Sequence, residues 1–504
     1  MLNKEQLDVV DSNAKRLLCL AGAGTGKTST LIARLQRLVS EGVDPRSMLV
    51  LTFTNAAAFE MARRYDASEH HTAKPKFGTF HSFCYGLIAS DKFLREMLGY
   101  THVPDVATEA QAKEVRIAAA IQLGFKLPDA LKDDTKRSTL YAAADRLLKK
   151  RGLITFDKMC YDICNLFVHN NGAVKRYKEQ YKYIFVDEAQ DTDPQQHEFV
   201  MSFTDANIMM VGDALQNLYS FRGTTSKIIK ELAEDSEWEV HRLSTNYRST
   251  TQICQFANDM SVYANDAYRI KIEGLREGPD VWVIRNQPTH SQLNALPTII
   301  QSDTAILCRT NAEVDEVSKF LRAKGIEFST NRQPHLIINM CKAAMDEAYL
   351  LEWLASQLPA GMYENYIRAQ SLTPYTLSQF CKQFYSCWQI RNTVQEVNKL
   401  NAALMREDAD EIAAILKTTV PEYTSGTDKA EYLSKIIYAH SIVADKQGCY
   451  VGTVHSVKGL EFNSVIVLGV GGKSFRLNSE DNLNVYYVAI TRAKDTLTVF
   501  KEGA

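Results

Sequence analysis

AGAGTGKT, running from Ala21 to Thr28, decides how this chain is read. It follows RLLCLA (Arg16 to Ala21), a short apolar run expected to be a buried strand. It opens a periodic segment from Lys27 to Val39 expected to be a helix. Strand, small-residue turn and helix N-terminus together make the context that phosphate groups need. Ala21, Gly22, Ala23, Gly24, Thr25 and Gly26 carry little bulk, so their backbone N–H groups can curl around the β- and γ-phosphates of a nucleotide. The helix dipole favours the same negative charge. Lys27 adds a cation and Thr28 a hydroxyl suited to Mg²⁺, with Ser29 next in the first turn. Ala21 stands where such loops usually place a glycine.

A second chemical element lies further along. YIFV (Tyr183 to Val186) reads as another strand, and DEAQD (Asp187 to Asp191) follows it. Strand ends on one edge of a parallel sheet converge, so these acids are expected to face Lys27. Asp187 would hold Mg²⁺ directly or through water, and Glu188 would polarise the attacking water. Short apolar runs at Met48 to Phe53, Asn207 to Val211 and Glu239 to Leu243 alternate with helical segments, which signals an α/β domain. Asp193-Pro194 fits a helix start, with Asp as the cap and Pro in the first turn.

The alternation breaks twice. Residues 91–150 read as a helical insertion between an α/β part at 1–90 and its continuation at 151–275. A second α/β unit is expected at 276–335 and 447–504, divided by a helical stretch at 336–446. The 504 residues are ample for such an arrangement, and 45% hydrophobic with 23% charged residues is ordinary for a globular protein with a real core. Lys and Arg number 58 against 60 Asp and Glu, a balance that neither requires nor forbids a local basic groove. No long apolar run and no signal-peptide core is present, so a cytoplasmic protein away from membranes is expected. The ten cysteines contain no CxxC pair. Cys160 and Cys164, one helical turn apart, read as reduced core thiols.

The remaining motifs, in order, resemble helicase superfamily 1 and specifically its UvrD/Rep-like group. The segments are LNKEQLDVV, LTFTNAAAFEM, GTFHSF, ITFDKM, VGDALQNLYSFRG, NYRST, GTVHSVKGLEF and YVAITRA. That resemblance implies two RecA-like P-loop NTPase lobes, parallel sheets flanked by helices, each with an α-helical insertion. It implies that Gln6 reads adenine, that Gln216 senses the γ-phosphate and that Tyr247 stacks on the base. It further implies that Glu461 binds the ribose and that Arg248 and Arg492 reach the γ-phosphate. Arg492 is expected on the far lobe, so that cleft closure would bring it to the nucleotide.

Single-stranded DNA and its junctions with duplex are the implied partners, moved along in the 3′→5′ direction. Phe53, Phe80, Tyr219 and Phe221 offer rings that could stack on bases without reading them. Thr54, Asn55, Thr79, His81, Arg222, Thr453 and His455 complete the strand-contacting set. Compact size, VHSVKGLEFNSVIVLG and VYYVAITRAKD also resemble the helicase subunit of Gabija anti-phage systems, which implies an OLD-family nuclease partner. The shortness of the second insertion leaves another class open: an ATP- and DNA-sensing regulatory subunit that does not unwind processively. A small-molecule kinase would need neither the second set of arginines nor the aromatics.

Overall fold

The structure is a computed structural model that describes residues 2–66, 73–107, 109–218, 227–261, 268–285, 289–301, 303–330 and 448–502. The chain forms two compact units, Met1–Val281 with Leu477–Thr496, and Trp282–Arg476 with Leu497–Ala504.

The first unit is built on six strands: β1 (Arg16–Ala21), β2 (Met48–Thr52), β3 (Lys76–Thr79), β4 (Tyr183–Val186), β5 (Asn207–Gly212) and β6 (Glu239–Leu243). They lie in the order β3-β2-β4-β5-β1-β6, and every pairing is parallel. Leu17, Leu18, Cys19, Leu20 and Ala21 in β1 are all fully buried. A strand covered on both faces gains from apolar residues at every position, which is why RLLCLA does not alternate. β3 was not foreseen, because a four-residue strand ending in the polar Thr79 has no periodicity to read.

Ten helices matter here. α1 (Lys4–Asp11), α2 (Lys27–Ser40), α3 (Asn55–Asp66) and α4 (Phe80–Ser90) accompany the first strands. α5 (Glu109–Gln122) and α6 (Asp134–Lys150) share a small core around Val115, Ala119, Leu140 and Leu148. α7 (Phe156–His169), α8 (Pro194–Met201), α9 (Thr251–Met260) and α10 (Glu480–Ile490) complete the unit. α8 starts as its sequence predicts. Asp193 caps it, Pro194 occupies the first turn, and Asp193 and Gln196 form a reciprocal capping box.

α10 groups by its contacts with the first unit. The helix is buried on nearly all sides, Val485 through Ile490 without a break. Such a helix gives no amphipathic stripe from which to read its partner.

The second unit is a six-stranded sheet in the order β7-β12-β11-β8-β10-β9. Its strands are β7 (Trp282–Ile284), β8 (Thr304–Cys308), β9 (Phe328–Ser329), β10 (Cys449–Thr453), β11 (Phe462–Val470) and β12 (Ala493–Lys501). β8 pairs in parallel with β10 and β11, β9 with β10, and β7 with β12. The helical stretch expected at 336–446 lies outside the described residues.

Candidate nucleotide and DNA-strand site

The phosphate loop is folded as a cradle. Gly24 and Gly26 have φ of 71° and 83°, a left-handed backbone that glycine adopts at little cost. A Cβ at Gly24 would fall 2.8 Å from Arg248 Cβ, and one at Gly26 would fall 2.7 Å from Gln6 Nε2. Backbone angle favours glycine at both positions, and at Gly24 the close Arg248 Cβ adds a steric requirement. Lys27 Nζ donates to the carbonyls of Ala21 and Gly22 at 3.3 and 3.5 Å, folded over the loop it serves. Thr28 is half-buried in the first turn of α2, and Ser29 is exposed.

Other elements hold this loop in place. Gln6 Nε2 donates to Thr25 O at 3.1 Å, and its Oε1 accepts from Asn3 N in the capping box of α1. Both ends of the amide expected to read adenine are thus engaged in building the cradle. Asn246 Nδ2 donates to Ala23 O at 2.7 Å, while its Oδ1 accepts from the backbone of Arg248 and Ser249. Tyr247 N donates to Gly24 O at 2.9 Å, leaving its ring half-exposed.

The acids sit at the strand ends. Asp187 is buried and Glu188 follows it with φ 53° and ψ 44°, one of two described non-glycine residues in the left-handed region. Strain of this kind persists where the surroundings impose it, and active sites are a common place. Glu188 Oε2 accepts from Gln190 Nε2, and Gln190 Oε1 in turn accepts from Asp213 N at 3.0 Å.

Asp213, at the end of β5, is the residue the sequence reading missed. It caps the short turn Ala214–Gln216 and its Oδ2 accepts from Gln216 Nε2 at 2.8 Å. Burial pushes its carboxyl above its ordinary value, against the pull of Lys27 and of the donors from Gln216 and Leu215. The signal was present: an acid directly after an apolar strand, as at Asp187.

Arg492 closes the group. It is buried, Nε donating to Val488 O at 3.1 Å and a terminal nitrogen to Gln216 Oε1 at 3.4 Å. Arg248 Nη1 donates to Thr491 O at 3.0 Å, anchoring Arg248 to the backbone that leads into Arg492. Tyr487, one helical turn before Thr491, is also buried. Arg492 groups by its contacts with the first unit.

Comparison with known families decides the matter. The UvrD/REP helicase N-terminal domain matches residues 2–97 and 101–237, and the UvrD-like helicase C-terminal domain matches 360–502. The chain belongs to the UvrD-like helicases. As a UvrD-like helicase it is an ATP-hydrolysing enzyme, and its two sheets are the RecA-like lobes of that family. It is 26% identical to YjcD of Bacillus subtilis strain 168, over 98% of this chain and 78% of that protein. It is likewise 26% identical to the ATP-dependent DNA helicase PcrA of Staphylococcus aureus, over 99% and 83%, and 25% identical to PcrA of Staphylococcus epidermidis over the same shares.

The strand-contacting residues of this UvrD-like helicase divide by location. Thr54 caps α3 by accepting from Ala57 N at 3.1 Å, and Asn55 beside it is exposed. Phe53 and His81 are half-buried, and His81 lies edge-on to the exposed Phe156 at 5.9 Å. Thr79 caps α4 and lies 3.5 Å from Asn55 Oδ1.

Phe80 is a correction. Its ring is buried against Phe199, centroids 6.2 Å apart, in an aromatic cluster with Phe83, Phe167 and Phe203. A ring in that core cannot stack on a base; the apolar packing claimed it. Thr453, His455 and Glu461 belong to the second unit, Thr453 opening the turn Val454–Val457 at the end of β10. Tyr219, Phe221 and Arg222 lie outside the described residues. No described helix is long and apolar enough to cross a membrane.

Proposed function

We propose that this chain is an ATP- and Mg²⁺-dependent DNA helicase that translocates 3′→5′ on single strands. The observation that carries the reading is the continuous chain Glu188–Gln190–Asp213–Gln216–Arg492, set beside Lys27 and the phosphate loop. Thr28 and Asp187 supply hard oxygen donors that fit Mg²⁺, which would neutralise charge on the phosphates. Glu188 orients and deprotonates the attacking water. Lys27, Arg248 and Arg492 stabilise charge on the transferring phosphoryl group. Gln216, held between Asp213 and Arg492, links the state of the phosphate to the turn that leads into Tyr219, Phe221 and Arg222. Tyr247 offers a ring for the adenine, and Glu461 a carboxylate for the ribose.

Coupling to motion is proposed to run through β12. Its first residues bond to the first unit, with Ser249 Oγ donating to Ala493 O at 2.6 Å, while its later residues pair with β7. Phe53, Thr54, Asn55, Thr79 and His81, with Thr453 and His455, would grip the strand backbone.

The sequence resemblance to the Gabija helicase subunit favours a role in anti-phage defence beside an OLD-family nuclease, with DNA repair as the other setting. ATPase stimulation by single strands, measured with strand displacement on 3′-tailed and 5′-tailed duplexes, tests the reading. Displacement of the 3′-tailed duplex alone is expected. Stimulated hydrolysis with no displaced product would replace the motor by a DNA sensor.

A further inference from the structure

Cys84 on α4 and Cys160 and Cys164, one turn apart on α7, converge in the interior of the first unit. Their sulfurs lie 4.0 Å apart for Cys84 and Cys160 and 3.9 Å for Cys160 and Cys164, and all three fall within 4.8 Å of one another. All three side chains are buried. The other four described cysteines, Cys19, Cys254, Cys308 and Cys449, join no such group.

The plain alternative is that three thiols pack as small apolar groups. Packing brings neighbours into contact, but it does not require sulfurs from two helices to surround one point. The spacing suits a shared ion. Zinc–sulfur bonds of about 2.3 Å put sulfurs roughly 3.8 Å apart in a tetrahedral centre and about 4.0 Å apart in a trigonal one. A disulfide would need a separation near 2.05 Å.

The polar surroundings point the same way. Gln196 Nε2 lies 3.9 Å from Cys160 Sγ, placed to donate to a thiolate.

We propose that Cys84, Cys160 and Cys164 bind a thiophilic metal ion, Zn²⁺, as three thiolates of a structural centre. The ion would tie α4 to α7. It would thereby fix the turn bearing Thr79 and His81, so the centre would support the strand-contacting surface rather than the phosphate chemistry.

The full chain, purified without chelator and loaded with Zn²⁺, should retain about one zinc per molecule after desalting. Cys160→Ala and Cys84→Ala should lose it, while Cys254→Ala and Cys308→Ala keep it. Replacement by Co²⁺ should give a thiolate charge-transfer band in the parent protein, a readout that does not depend on any variant folding. Absence of both zinc and that band in the parent protein would overturn the proposal. So would zinc retained by Cys160→Ala, or a Cys84–Cys160 disulfide found by mass spectrometry.

Discussion

Arg492 donates to Gln216 at 3.4 Å across 276 residues of sequence, and both side chains are buried. Gln216 is simultaneously held by Asp213, so the arginine cannot move without disturbing the acid at the end of β5.

Arg492→Ala should therefore slow ATP turnover far more than it weakens ATP binding. A loss of about 10³-fold or more in turnover is the scale for an arginine on a transferring phosphoryl group. Arg492→Lys should not restore it, because an ammonium cannot reproduce the planar fork. Single-turnover hydrolysis and nucleotide titration separate the two effects; equal losses in both would sink the assignment.

Glu188→Gln should lower hydrolysis by about 10²–10⁴-fold, the range for a lost general base, with nucleotide affinity nearly unchanged. Lys27→Ala should remove both. Phosphate release under saturating ATP checks this, and parent-level turnover in either variant would refute the site.

Phe80→Ala should cost about 3–5 kcal/mol of stability, as expected for emptying a ring site in a packed core. Its DNA affinity, measured below the melting point, should be little changed. Tyr219→Ala combined with Phe221→Ala should do the reverse, losing about 1–3 kcal/mol of strand binding per stacked base while the melting temperature holds.

Asp213→Asn should stabilise the fold at neutral pH while impairing hydrolysis. Burial holds the folded-state carboxyl above its ordinary value, so ionisation is easier in the unfolded chain. Its contribution to stability is thus fully present below the ordinary carboxylate range and lost as pH rises through the raised folded value. The melting-temperature gap between variant and parent should open across that window and close in acid. A gap independent of pH would argue against a titrating Asp213.

The phosphate loop, the acids after β4 and most of the strands were legible because each rests on local pattern: small residues at a turn, apolar runs, carboxylates at strand ends. What escaped was set by distant packing. Phe80 reads like an exposed ring until α7 and α8 surround it, and Asp213 looks like one more turn acid until Gln190 and Gln216 close on it. Cys84 stands 76 residues from Cys160, so their meeting has no trace in spacing.

The placement of Leu477–Thr496 in the first unit bears on how this enzyme can be dissected. A fragment ending at Val281 would have the lysine and the carboxylates yet lack the helix that fills its own floor and the guanidinium beside Gln216. Excising the apparent N-terminal half should yield an incomplete ATPase with an apolar trough where α10 belongs, whereas adding back a peptide spanning 477–496 should reseal it. Segments 276 residues apart thus line a single nucleotide chamber, and a truncation that seems to spare it will open it.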